Sequence, residues 1–123
     1  MQNIRNRILN IVAIACAVAL LFPITTIPEE HSEMHMVEEG KALTLDRKKG
    51  NCVSCHYIVG AESLGNIGPA LVGMKVRYPK AELRKRIWDI TLSAPEAAMP
   101  PFGKHQILSE EEIDKITEYI YTL

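Results

Sequence analysis

The chain has 123 residues, enough for one small domain. Apolar residues make up 47% and charged residues 24%, the balance of an ordinary folded protein. A formal net charge of −1 lacks the basic excess of a nucleic-acid binder, so no nucleic-acid partner is expected.

Arg5 and Arg7 give a basic start, and residues 11–22 form an unbroken apolar run. Residues 1–27 therefore read as a secretory signal peptide, or as an uncleaved anchor made from one. A bilayer span needs roughly 20 apolar residues. This run reaches that length only by taking in Asn10, Pro23, Thr25 and Thr26, so cleavage is the favoured outcome. Cys16 follows Ala13-Ile14-Ala15 and reads as a small residue of the apolar segment rather than a lipid-attachment site. Without the segment, basic residues fall from 14 to 12 against 15 acids, and Cys52 and Cys55 are the only cysteines left.

Residues 28–36 are polar and acidic, a linker or the frayed start of a helix. The folded domain is expected over residues 37–123. Val37, Leu43 and Leu45 among charges predict an amphipathic helix over residues 37–49, stopped by Gly50. Residues 58–73 carry Gly60, Gly65, Gly68 and Gly73, the mark of a loop packed close against something. Tyr78-Pro79 opens a middle helix with Leu83, Ile87 and Ile90 at helical spacing. The basic run over residues 75–86 reads by default as a solvated face, with an acidic partner or the carboxylates of a bound cofactor as the alternative. An extended, proline-rich loop follows Leu92. The last helix is the clearest: Ser109 with Glu112 makes a capping box, and Ile113, Ile116, Ile120 and Leu123 form one apolar stripe. No strand-like alternation occurs, so the fold class is all-α.

The chemistry lies in Cys52-Val53-Ser54-Cys55-His56. A structural zinc site needs four ligands, and no second cysteine pair is present to complete one. A thioredoxin-type redox pair needs a strand before it and a helix opening at it, and neither is expected here. Attachment of one covalent haem c uses all three side chains: Cys52 and Cys55 as thioether anchors and His56 as the proximal iron ligand. The chain has only two Phe, four Tyr and one Trp, a sparse core that a buried haem would complete.

The sixth iron position in such a site is commonly methionine. Met34 and Met36 fall in the polar N-terminal stretch, and Met74, close behind the glycine loop, reads as a core filler. Met99 stands in the extended loop, with Pro100-Pro101 stiffening the chain behind it, and is the expected axial ligand. His105 reads as a polar residue ahead of the last helix. With both thiols engaged and the iron saturated, no substrate site and no Ser/His/Asp or paired-carboxylate set remains, so no residue of this chain is expected to be catalytic.

The order of an N-terminal helix, Cys-x-x-Cys-His, Gly68-Pro69-x-Leu71, a middle helix, Met99-Pro100 and a C-terminal helix resembles class I cytochromes c across residues 37–123. The resemblance implies that the first and last helices cross. It also implies that the Pro69 carbonyl accepts the second ring proton of His56. Gly40 lies farther before Cys52 than the crossing glycine of the shortest family members, which leaves the crossing residue open.

The strings KGNCVSCH, IGPALVGM, RYP followed by LRKRIWD, and MPPFGKHQILSEEEIDKI are similar, more narrowly, to SoxX, the monohaem subunit of SoxAX cytochromes of sulfur oxidation. This likeness implies a heterodimer with a SoxA-like subunit bearing a catalytic cysteine, and oxidative joining of thiosulfate to a SoxYZ-like carrier cysteine. It further implies a periplasmic location and electron delivery to a small soluble cytochrome c. The enzyme would be an L-cysteine S-thiosulfotransferase, in which this chain transfers electrons. The competing reading is a free periplasmic single-haem electron carrier.

Overall fold

The computed structural model describes residues 29–62 and 65–123; the expected signal segment lies outside them. Four helices form among the described residues: α1 (Glu29–Leu45), α2 (Met74–Arg77), α3 (Lys80–Trp88) and α4 (Glu110–Tyr121). Single 3₁₀ turns stand at Cys52–Ser54 and Ile90–Leu92. No strand occurs among the described residues, in agreement with the all-α expectation. None of the described helices is long and apolar enough to cross a membrane.

α4 forms as its sequence dictates. The Ser109 hydroxyl accepts from the Glu112 amide at 3.1 Å, and the Glu112 carboxylate accepts from the Ser109 amide at 3.0 Å. Two of the free amides at the helix start are thereby satisfied. The buried stripe of Ile113, Ile116 and Ile120 then faces the core.

α1 crosses α4 at Gly40. A β-carbon on Gly40 would collide with the backbone carbonyl of Lys115, so only glycine lets the two backbones come this close. The open question of the crossing residue is settled by that contact. Buried Thr44 and Thr117 keep the crossing free of unpaired polar groups: each hydroxyl donates 2.7 Å back to a carbonyl of its own helix, Gly40 and Ile113 respectively. Lys115 pairs with Glu39 at 3.0 Å, and Lys49 with Glu112 at 2.5 Å, tying α1 and the turn after it to α4.

Two boundaries differ from the sequence reading. α1 begins at Glu29, so the acidic stretch before Val37 is helical, as the frayed-start alternative allowed. It ends at Leu45 rather than Lys49, because the Asp46 side chain captures the Lys48 amide at 2.8 Å in a local turn. α2, which was not anticipated, is a single turn whose first amide, Met74, donates to the C-terminal Leu123 carbonyl at 2.8 Å.

In an ordinary helix, Gly→Ala stabilises by roughly 1 kcal/mol. At Gly40 the sign should invert: Gly40→Ala is expected to lose about 2 kcal/mol, as overpacking costs, in denaturant unfolding of the haem-loaded protein. Increased stability would contradict the crossing.

Candidate functional site

The Cys-x-x-Cys-His stretch is presented by one 3₁₀ turn. Asn51 enters it in the left-handed region (φ 46°), a conformation asparagine tolerates better than most residues. The Cys55 and His56 amides both return to the Cys52 carbonyl, at 3.2 and 2.8 Å. Residues three apart stack over one another in such a turn, which brings the two thiols to one side.

His56 is held from the glycine loop. Its Nδ1 lies 2.7 Å from the Pro69 carbonyl oxygen. A carbonyl can only accept, so Nδ1 carries the proton and donates, leaving the Nε2 lone pair free for a metal. Gly68 lies directly against the ring: a β-carbon there would come within 2.5 to 2.9 Å of Cε1, Nδ1 and Nε2. The Gly68 amide also donates to the Cys55 carbonyl at 2.8 Å, locking the loop to the turn.

Cys52, Cys55, His56, Pro69 and Met99 all line one cavity of about 370 Å³. Its body is apolar, with Leu71, Leu83, Ile87 and Phe102 among the buried residues on its wall. Met99 comes to it from the extended loop, among the small side chains Ala94, Ala97 and Ala98. Met74 also lines the cavity, but it is buried in the core and its sulfur accepts from Arg77 Nη1 at 3.8 Å. His105 is exposed and off the cavity wall.

Three further residues line the wall. Arg77 and Arg86 belong to the basic run whose default reading was a solvated face and whose alternative was contact with haem carboxylates or an acidic partner, and both line the cavity together with Tyr78. Their guanidinium carbons lie 5.7 and 4.8 Å from the Tyr78 ring centre. Arg86 Nε forms an ion pair with Glu82 at 3.0 Å, off the ideal hydrogen-bond direction, and its Nη1 donates to the Ser93 hydroxyl at 3.1 Å. The rest of the run also has tertiary work: Lys80 pairs with Glu118 at 2.7 Å and Arg84 with Asp114 at 2.5 Å on α4. Linear spacing shows the charges but not which of them turn inward.

Burial pushes the Cys52 thiol up to about 11, with a smaller rise from Cys55 nearby. At neutral pH it is therefore protonated and a poor nucleophile, unlike the thiol of a redox or sulfur-transfer centre.

The residues fit a haem. A largely apolar cavity holds two thiols at the spacing of thioether attachment, one imidazole with its outer nitrogen pinned, and a thioether. Gly68 leaves the ring face uncrowded, and Arg77 and Arg86 on the wall match acidic substituents.

Helices closed around such a cavity define the fold of a c-type cytochrome. The chain belongs to the family described as cytochrome c oxidase, cbb3-type, subunit III, which matches residues 35–120. The structure is similar to a chain in the crystal structure of SoxXA from P. pantotrophus, with a TM-score of 0.63 and 26% identity, over 69% of this chain and 79% of that one. The expected kinship with class I cytochromes c close to SoxX is thereby borne out. An uncharacterized lipoprotein of Aquifex aeolicus (strain VF5) is 39% identical over an alignment 80 residues long that covers 60% of this chain and 37% of that protein. The chain thus matches little more than a third of that relative's length.

Asp89, at the foot of the Met99 loop, is buried, and its carboxyl is held below the ordinary 3.8, first by the Thr91 side chain and then by Lys104. A carboxyl with a lowered folded pKa contributes stability that is complete above its unfolded value and lost as pH falls through the folded one. Unfolding free energy should therefore decline below about pH 4, and Asp89→Asn should make that decline shallower. An unchanged acid limb in denaturant titrations would contradict the assignment.

Proposed function

We propose that Cys52 and Cys55 hold one haem c through thioether bonds and that His56 and Met99 ligate its iron. We further propose that the chain works as the SoxX-like electron-transfer subunit of a SoxAX-type complex. The observation that carries this reading is the single apolar cavity gathering Cys52, Cys55, His56, Pro69 and Met99 within a fold similar to SoxXA.

Bound there, haem supplies a one-electron redox centre. The residues of the chain bind, orient and tune it. Pro69 fixes the His56 ring and strengthens its donation. Arg77, Tyr78 and Arg86 are the polar wall groups suited to the two haem carboxylates. The apolar wall excludes water, and an axial pair from the protein leaves no iron position for substrate.

The sulfur chemistry then falls to the partner. A SoxA-like cysteine takes part as thiosulfate joins the SoxYZ-like carrier thiol. One sulfur–sulfur bond forms, the thiol proton leaves, and two electrons depart singly through this chain to a small soluble cytochrome c. The complex is an L-cysteine S-thiosulfotransferase, and this chain alone is inert. The family and the lipoprotein name of the Aquifex relative support an exported, periplasmic address, reached through the N-terminal segment.

Met99→Ala should abolish the weak thioether–iron charge-transfer band of the oxidised protein while the haem stays attached. Survival of the band would move the ligand to Met74. The function itself is tested by mixing this chain, a SoxA-like subunit, SoxYZ, thiosulfate and an electron acceptor, leaving out one component at a time. Thiosulfate-dependent reduction should need every component. Turnover without the partner, or no binding of a SoxA-like chain, would overturn the subunit reading in favour of a free carrier.

A further inference from the structure

The loop that brings Met99 to the cavity starts and ends at one point. Trp88, the last residue of α3, offers its carbonyl to two amides from the far side of the loop, Gly103 at 3.1 Å and Lys104 at 3.3 Å. Gly103 lies flat on the Trp88 ring, where any β-carbon would collide with the indole. The next residue, Asp89, is 5% exposed. Its Oδ1 accepts from the Thr91 amide at 3.0 Å and the Thr91 hydroxyl at 2.5 Å, while Oδ2 meets Lys104 Nζ at 3.0 Å. Two adjacent residues from the start of the loop thus clasp two adjacent residues from its end.

We propose that this neck, with the Asp89–Lys104 pair at its centre, is the positioning device that keeps the Met99 sulfur on the iron. The inference rests on Met99 being the axial ligand. A neutral thioether binds ferric iron weakly, so its occupancy depends on how far the protein restrains the loop carrying it. Among the described residues of the loop itself, Ile90 and Leu92 form one short turn and little else is regular, so its ends supply much of the restraint. A buried carboxylate with three donors costs a great deal to displace, whereas Lys104 is half exposed and can be changed without opening the core. Neither side chain lines the cavity, so both act on the iron only through Met99.

The test titrates imidazole, which competes with the methionine, into the oxidised haem-loaded protein. Lys104→Gln and Asp89→Asn are each expected to raise imidazole affinity about tenfold, the equivalent of one lost charged hydrogen bond. Lys104→Arg should restore the native affinity, and the double variant should be no weaker in its restraint than Asp89→Asn alone. Lys80→Gln, which removes an ion pair between α3 and α4, should leave the affinity unchanged. Native affinity in Lys104→Gln, or an equal rise in Lys80→Gln, would overturn the proposal. If Asp89→Asn fails to fold, Lys104→Gln and its arginine rescue still decide. Should the unmodified protein lack the thioether–iron band, the ligand reading fails first; a band present but insensitive to the neck rejects only the neck.

Discussion

The bond from His56 Nδ1 to the Pro69 carbonyl, 2.7 Å long, sets the site around which the chain is built. It fixes the tautomer, and with it the direction of the one nitrogen able to meet a metal. It also ties the Cys-x-x-Cys turn to the glycine loop, so the two thiols and the imidazole share one frame. Gly68 is the steric condition for that bond, since a side chain there would push the ring away. The helices serve this frame: α1 and α4 close on each other at Gly40, and α4 and α3 supply Ile116, Ile120, Leu83 and Ile87 to the cavity wall.

The core is incomplete without something flat and apolar in that cavity. Covering the exposed apolar wall contributes on the order of 4 kcal/mol, a sizeable share of the whole stability of a small domain. This explains how so few aromatic residues suffice, and why binding of the group and folding of the chain are expected to be coupled. A Cys52 thiol pushed up by burial is itself unsuited to handling sulfur.

Local features were legible in the sequence. The cysteine–histidine motif, the capping box of α4 and its apolar stripe each depend on residues a few positions apart, and each appears where it was expected. Pro69 was reachable only through the family resemblance, because its bond to His56 spans 13 positions. The placing of Arg77 and Arg86 on the cavity wall, the neck at Trp88 and Gly103, and the role of Gly40 depend on packing between distant segments. The start of α1 shows the same limit: residues 29–36 lack an apolar stripe of their own and form the leading turns of a helix whose later turns are anchored on α4. The role of the basic run stayed open because charge spacing on α3 is compatible both with solvent and with acids on α4.

The central claim is that Cys52 and Cys55 are covalent anchors for a haem ligated by His56. It is tested most directly by the intact mass of the exported protein after acid denaturation, followed by mapping of the haem-bearing peptide. The account predicts a mass greater than the polypeptide by one haem, carried on the peptide containing Cys52 to His56. A folded, helical chain with the bare polypeptide mass would contradict it.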